Sequence, residues 1–592
     1  MKHQGGTLKS LGQRVITALS LLTLALAAAA GQSGFAETKR YILQLSSPQL
    51  HAQMSRQVRV EQENQRWEAQ RQGLSMQSVP SSVGLQLLNA DLQVEQVLDA
   101  VGMMIVEFRD GDSLDLLREH PAVALLEEEV IYPAPQPIFV SARGSSLETF
   151  RSSNYGALSP MPLPWGIDAV KAPLAWGLSA LGQGARVLVL DTGLDKEHPN
   201  LTSRFERGQN FTTEAEGAPY PYFDDHGHGT HVSGTILADG SNYGLVGVAP
   251  QSILLAGRVC TVNGCPSGAI VAGVNWGIEQ GVDVINMSLG GAWLGAAERA
   301  VYKRAEEANV MIVAAAGNNG SSRVSFPAAL DTVMAVGALD NTLTKADFSQ
   351  WGPELEVMAP GVDVFSSMPR GTGREAWVVV DAQGSTLEPE VLPMVGSPVV
   401  KEPVVGSLIY AGLGREQDYE SLDVSGKVVL ISRGEIAFAE KVSRAAAQGA
   451  LAAVIFNNEE GKFNGVIEPS PGVEAAIPAV ALDRATGLSL QESLRYQSLL
   501  VQVSLEPTDF AEMSGTSMAS PHVAGVAALV RAANPHLSPA EVRQLIRDSA
   551  TPLVESDPQN QYGSGLVDAY AAVSLALQAP TMAPLSLGYV SP

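Results

Sequence analysis

Three glycine-rich stretches of this chain carry, in sequence order, a carboxylate, an imidazole and a hydroxyl. They read Val187-Leu-Val-Leu-Asp-Thr-Gly-Leu-Asp, His226-Gly-His-Gly-Thr-His-Val-Ser-Gly-Thr and Ser514-Gly-Thr-Ser-Met-Ala-Ser-Pro-His-Val-Ala-Gly. A serine hydroxyl is a poor nucleophile until a neighbouring imidazole takes its proton, and that imidazole must itself be oriented. A buried carboxylate does this by fixing the tautomer and stabilising the imidazolium that forms. Singly, each group has a plainer role: Asp191 as a turn or capping residue, the histidines as structural groups or metal ligands, Ser517 as a helix cap. A fourth stretch, Ala314-Ala-Ala-Gly-Asn318, ends in a side-chain amide that could stabilise an oxyanion.

The elements that must position these residues are legible as apolar runs. Ala185-Arg-Val-Leu-Val-Leu predicts a buried strand ending at Asp191. The spacing further predicts a helix over 269–280, a strand over 282–288, a charged helix over 296–308 and a strand over 310–316. Such alternation implies a parallel sheet covered on both faces, with functional residues at the carboxyl ends of its strands. Asp191, Ser288 and Asn318 each follow a strand of this kind. After about Met368, a second set of signals, including Gly426-Lys-Val-Val-Leu-Ile-Ser and Ala450-Leu-Ala-Ala-Val-Ile-Phe, predicts a small domain set into a loop. The first pattern resumes with a helix over 517–533. Upstream, Tyr41-Ile-Leu-Gln-Leu, Met103-Met-Ile-Val-Glu-Phe, a helical run near 114–119 and Val123-Ala-Leu-Leu-Glu-Glu-Glu-Val predict a separate α+β unit.

Over about 165–368 and 513–572 the chain resembles the subtilases, the subtilisin-like serine proteases, whose active-site signatures match the three stretches. The resemblance implies an α/β, subtilisin-like three-layer fold with a mainly parallel sheet, plus an N-terminal α+β prodomain and an inserted domain. Residue by residue, it makes Asp191 the orienting carboxylate, His228 the general base and Ser517 the nucleophile. Asn318 and the Ser517 N–H become the oxyanion donors, and His231 the family's structural histidine; His226 receives no role. Ser288, Leu289 and Gly290 match one edge of the substrate cleft, and Ala315 to Gly317 the other, so a peptide would bind by strand addition. Neither edge is charged, which favours a neutral or apolar residue before the scissile bond. The substrates implied are proteins or peptides, and the prodomain acts as an intramolecular inhibitor that the enzyme removes itself. No cofactor is required for the chemistry. Calcium is a structural ion in many subtilases, bound at the loop here reading Asp239-Gly-Ser-Asn-Tyr-Gly-Leu. Asn200 stands where the family has an aspartate, and calcium prefers anionic oxygens, so no metal ligands are assigned.

The insert resembles a protease-associated (PA) domain through Arg433-Gly, Phe438, Lys441 and Gly449-Ala-Leu-Ala-Ala-Val-Ile-Phe-Asn-Asn. A cysteine common near Ile436 is missing. Such a domain either modulates substrate access or is passive.

Lys2, Lys9 and Arg14 precede an apolar run over 15–30 and the small residues Gly31, Ser33 and Gly34, the layout of a secretory signal peptide. The run is shorter than the roughly 20 residues that span a bilayer, so the expectation is a secreted protein with no membrane span in its mature form. The expected order is signal peptide 1–36, prodomain 37–132, linker 133–164, catalytic domain 165–369 and 511–578 around the insert 370–510, and tail 579–592. Export also favours a disulfide between Cys260 and Cys265, the only cysteines, over two free thiols. A net charge of -24 argues against nucleic acid and against anionic membrane surfaces as partners. Two rival functions use the same residues: a specialised processing or transpeptidating protease, and a catalytically silent protein binding through its insert. Retention of all four site residues argues against the second.

Overall fold

The computed structural model describes residues 39–71, 83–87, 90–108, 111–135, 163–178, 180–212, 218–242, 244–461, 463, 465–469 and 473–579. The signal peptide expected at 1–36, the linker beyond 135 and the tail from 580 lie outside the described residues. The chain divides into two compact units after Glu129, three residues before the expected end of the prodomain.

In the first unit, strands β1 (Lys39–Leu45), β2 (Val83–Leu87), β3 (Ala90–Leu98), β4 (Met103–Phe108) and β5 (Val123–Glu128) form an antiparallel sheet in the order β2-β3-β4-β1-β5. Helices α1 (Pro48–Arg71) and α2 (Gly111–Arg118) accompany it. Tyr41, Leu43 and Leu45 pack with Met54, Val58, Met104, Val106 and Leu117 in its core. The α+β expectation is met, with α1, β2 and β3 added to the elements the sequence predicts.

The second unit opens with β6 (Ile131–Tyr132), followed by the short helices α3 (Trp165–Ala169) and α4 (Ala172–Gly177). Its main sheet comprises β7 (Arg186–Asp191), β8 (Phe205–Asn210), β9 (Ile253–Arg258), β11 (Val284–Met287), β12 (Met311–Ala315), β13 (Val333–Leu339) and β14 (Val357–Pro360). Its order is β14-β13-β12-β11-β7-β9-β8 and every pairing is parallel. The chain leaves β7 toward one edge and then crosses to the other through β11. The carboxyl ends of these two adjacent strands therefore flank the switch point where such sheets place their sites.

Alternate side chains of β7 face opposite layers. Leu188 and Leu190 meet Gly277 and Gly273 of α6 (Ser267–Gln280), whereas Asp191 meets Gly229 of α5 (His228–Leu237). Helix α7 (Ala296–Glu307) packs beside α6. Helix α11 (Thr516–Ala533) lies against α5 and crosses β11 to β14, buried continuously from Thr516 to Arg531. A helix that is apolar nearly all round belongs in such a core.

The insert has its own eight-stranded sheet. Its entry and exit run side by side: β15 (Val364–Ser367) pairs antiparallel with β24 (Phe510–Met513), and β16 (Gly373–Ala382) with β23 (Leu500–Thr508). Lys441 is fully buried within it, donating to the carbonyls of Leu413 and Ser432. Burial lowers its ammonium to about 8. Among the described residues, no helix is long and apolar enough to cross a membrane.

Candidate active site

Asp191 ends β7, and His228 opens α5 directly across from it. His228 Nδ1 and Asp191 Oδ1 are 2.8 Å apart, with both side chains fully buried. Oδ1 also accepts the Thr192 N–H at 2.7 Å. An Nδ1–H donated to this carboxylate leaves Nε2 as the lone-pair nitrogen, the tautomer a general base requires. Nε2 has no hydrogen-bond partner among the described residues.

Ser517 is the second residue of α11. Its Oγ donates to the Ser288 carbonyl at 3.1 Å and is not hydrogen-bonded to His228. The sequence expectation thus meets a difference in detail: aspartate and histidine are joined, while the serine hydroxyl is turned to the neighbouring strand end. Without substrate, such a hydroxyl has a nearer acceptor in a carbonyl, and serine–histidine bonds commonly tighten only in the substrate complex. A rotation about one side-chain bond redirects Oγ.

Asn318 Oδ1 accepts from both the N–H and the hydroxyl of Thr516, at 2.8 and 2.7 Å. With its oxygen occupied, the amide must present Nδ2 on its other side, next to Gly515. Gly317 N–H donates to Thr516 Oγ1 at 3.1 Å. Gly317 itself has φ of 110°, and a β-carbon there would lie 1.9 Å from Gln350 Oε1. Only glycine suits that place.

The carboxylate of Asp224 is not among the groups the sequence singles out. It is fully buried and accepts five hydrogen bonds, from Thr192 Oγ1, the N–H groups of His226, Gly227 and Thr230, and Thr230 Oγ1. Thr192 Oγ1 in turn accepts the Gly229 N–H at 2.9 Å. Asp224 thereby ties the start of α5 to the end of β7, fixing His228 relative to Asp191. Its signal was an aspartate just before a helix, too common to single out. His231 is a buried structural group: its Nε2 lies 2.9 Å from Val364 O and 3.1 Å from Ala511 O. One ring thus bridges α5 to both β15 and β24.

Of the two expected cleft edges, Ser288-Leu289-Gly290 follows the end of β11 and Ala315 to Gly317 runs on from the end of β12. Gly291, following Ser288-Leu289-Gly290, pairs with Phe326. A third segment, outside the expected edges, has Cys260 and Cys265 joined in a disulfide that closes the turn Thr261–Gly264 and leads into β10 (Cys265–Pro266). Strand β6 touches both this segment and Gly291. It pairs antiparallel with β10, Tyr132 opposite Cys265, and the Tyr132 ring rests on Gly291.

Among the described residues, no cluster of three or more His, Cys, Asp or Glu is arranged to hold a metal. At the loop expected to hold calcium, Asn200 Nδ2 donates to the carbonyls of Asn242 and Leu245, at 2.9 and 3.4 Å. The far side of the amide, Oδ1, has no partner among the described residues. Asp239 is turned outward to Ser203 and Ser241. Carbonyls facing an N–H group do not form a cation's donor set, so these residues do not fit calcium as they stand.

The subtilase family matches residues 182–386 and 473–565, and the PA domain matches 398–490. The chain is 40% identical over 215 residues to subtilisin of Bacillus pumilus, a stretch covering 36% of this chain and 76% of that protein. It is 39% identical over 217 residues to the major intracellular serine protease of Bacillus subtilis, covering 35% and 67%. Among solved structures, the psychrophilic subtilisin-like protease Apa1 from the Antarctic psychrotroph Pseudoalteromonas sp. AS-11 aligns with a TM-score of 0.51 at 29% identity, over 71% of this chain and 99% of that one.

Proposed function

Because this chain belongs to the subtilase family and is a serine endopeptidase, we propose that it cleaves peptide bonds through an acyl-enzyme on Ser517 and is made as a secreted, self-processed zymogen. The observation that carries the mechanism is the buried Asp191–His228 pair, whose histidine opens a helix packed against the one that begins with Thr516 and Ser517. His228 Nε2 takes the Ser517 proton as Oγ attacks the carbonyl carbon, and Asp191 stabilises the imidazolium. The oxyanion is met by Asn318 Nδ2 and by the Ser517 N–H in the first turn of α11, where the helix dipole favours negative charge. His228 then returns the proton to the leaving amine, and water repeats the sequence to free the acyl group.

The zymogen reading is supported by β6, a segment of the chain itself that adds as a strand to β10 and reaches Gly291, next to the expected substrate edge 288–290. The linker beyond it is then cut by Ser517, between about Ala134 and Tyr155. The sequence of residues 1–36 supports secretion. The insert, set beside β15 and β24, serves access of large substrates rather than chemistry.

The test compares wild type with Ser517→Ala, both made in a protease-deficient host. Wild type should hydrolyse peptides and begin within 134–155. The variant should lose activity by a factor of order 10⁶ and retain the segment from about residue 37. Near-normal hydrolysis by Ser517→Ala would remove the mechanism, and trimming of that variant in the same window would remove self-processing.

A further inference from the structure

We infer that Glu298 makes this protease select tyrosine at the substrate position that pairs with Cys265, an inference that rests on the proposed peptidase activity and the strand-addition cleft. Tyr132 shows what that position accepts. It is held by the β6–β10 pairing, reinforced by Val130, whose N–H donates to Ser267 Oγ at 3.0 Å and whose carbonyl accepts the Ser267 N–H at 2.8 Å. The Tyr132 ring is buried against Gly291, where a β-carbon would lie 2.5 Å from the ring and close the pocket. At the pocket floor the phenol donates to Glu298 Oε2, with Trp293 O a further acceptor 3.1 Å away.

A carboxylate at the floor of an otherwise ring-sized pocket is costly to bury unless its oxygens are satisfied. Glu298 is 2% exposed. Its Oε1 accepts the phenol of Tyr302, a wholly buried residue, at 3.2 Å, and its Oε2 accepts the Gly295 N–H at 3.4 Å. It also lies in the first turn of α7, where the helix dipole stabilises negative charge. These partners keep the carboxylate in place when the pocket is empty, yet leave Oε2 able to take the strong donor that Tyr132 supplies. A substrate tyrosine restores that bond. Phenylalanine fills the same volume but forgoes the phenol bond to Oε2, which then keeps the long Gly295 N–H bond without the stronger donor, and aspartate or glutamate brings like charge against it. Lysine would have to desolvate an ammonium in a pocket whose walls are shaped to a ring.

The experiment measures kcat/KM for peptides in which each position before the scissile bond is in turn Tyr, Phe, Leu, Lys or Glu. At one position tyrosine should exceed phenylalanine by about 10- to 100-fold, and in Glu298→Leu this ratio should fall to near one. The wild-type series decides the matter even if that variant fails to fold. A ratio near one at every position, or a preference for lysine over tyrosine, overturns the inference while leaving the peptidase reading intact. A peptide too short to reach the pocket separates the two readings: if wild type cannot cut it or any longer one, the activity itself is wrong and the inference goes with it.

Discussion

Ser288 Oγ donates to the carbonyl of Ser517 at 2.8 Å, and the reason lies four residues further along α11. Position 521 is proline, which has no N–H to give the Ser517 carbonyl in the helix ladder. The strand end thus supplies the bond that the helix cannot, and the nucleophile is fixed to β11 as well as to its own helix. Asn286 Nδ2 and Ser520 Oγ complete the setting around Ser288 Oγ, at 3.0 and 2.9 Å.

Ser288→Ala should therefore leave that carbonyl without a donor and cost about 1–3 kcal/mol of stability. Pro521→Ala returns an N–H to the same carbonyl and should offset part of the loss. Denaturant unfolding of both single variants and the double variant measures the coupling. Strict additivity would mean that Ser288 and Pro521 do not share the Ser517 carbonyl.

Thr516 is a positioning residue, acting through Asn318. Thr516→Val keeps the shape but removes the hydroxyl donor at 2.7 Å, leaving only the Thr516 N–H to hold the Asn318 oxygen. We expect kcat to fall about 10-fold with KM nearly unchanged, against the roughly 10²–10³ expected for Asn318→Ala. Thr516→Ser should restore kcat. A rise in KM with kcat intact would assign Thr516 to ground-state binding instead.

The sequence made the strands and helices around the site legible because buried parallel strands are short apolar runs, as at Val187 to Leu190. Asp191, His228, Asn318 and Ser517 were legible because each lies in a short local signature. Asp224, Thr516 and Glu298 were not. What each does depends on a partner distant in the chain or on a geometry that spacing does not encode: Thr516 faces Asn318 across 198 residues, and Glu298 meets Tyr132 across 166. Helix α1 is illegible in the sequence for a different reason. Its sequence, PQLHAQMSRQVRVEQENQRWEAQR, is so polar that the apolar stripe bearing Met54 and Val58 is thin.

Two buried histidines give stability a defined pH dependence. Burial lowers His231 to about 3 and His522 to about 4, while both sit near 6.5 in the unfolded chain. Between those values the unfolded state binds more protons, so stability is complete above about pH 6.5 and falls as pH drops. Each neutral histidine contributes a slope of up to roughly 1.4 kcal/mol per pH unit. Thermal unfolding of wild type and His522→Gln between pH 5 and 6.5 should show the shallower slope in the variant. Parallel curves would mean that His522 is protonated in the folded protein.

Asn200 predicts how the 239–245 loop responds to chelators. Its amide already occupies the carbonyls of Asn242 and Leu245, so EDTA should leave the unfolding temperature of wild type unchanged at this loop. Asn200→Asp instead faces those carbonyls with a carboxylate, a repulsive arrangement that a calcium ion would convert into a donor set. The variant should be destabilised in EDTA and recover on calcium addition. A wild type that loses stability in EDTA, together with a variant no more sensitive than it, would show that the amide does not replace the ion.

The insert should be removable because the catalytic domain holds its two ends together without it. Ser367 faces Phe510 in the β15–β24 pair, Met368 N–H donates to Asp509 O at 2.6 Å, and Gly371 N–H donates to Asp509 Oδ1 at 2.8 Å. His231 ties both strands to α5 from within the core, and Arg370 bonds Asp195 at 2.9 Å on the near side of the boundary. Deleting 371–507 and closing the gap with Asn-Gly, a pair suited to a tight hairpin turn, leaves all but the Gly371 contact in place. The deletion should unfold cooperatively and cut short peptides within a few-fold of the wild-type rate, since Asp191, His228, Asn318 and Ser517 all lie outside the removed segment. Cleavage of large protein substrates should change more than cleavage of short peptides if the insert governs access. A deletion protein that folds with the wild-type circular dichroism spectrum yet cuts no short peptide would show that the insert takes part in forming the site.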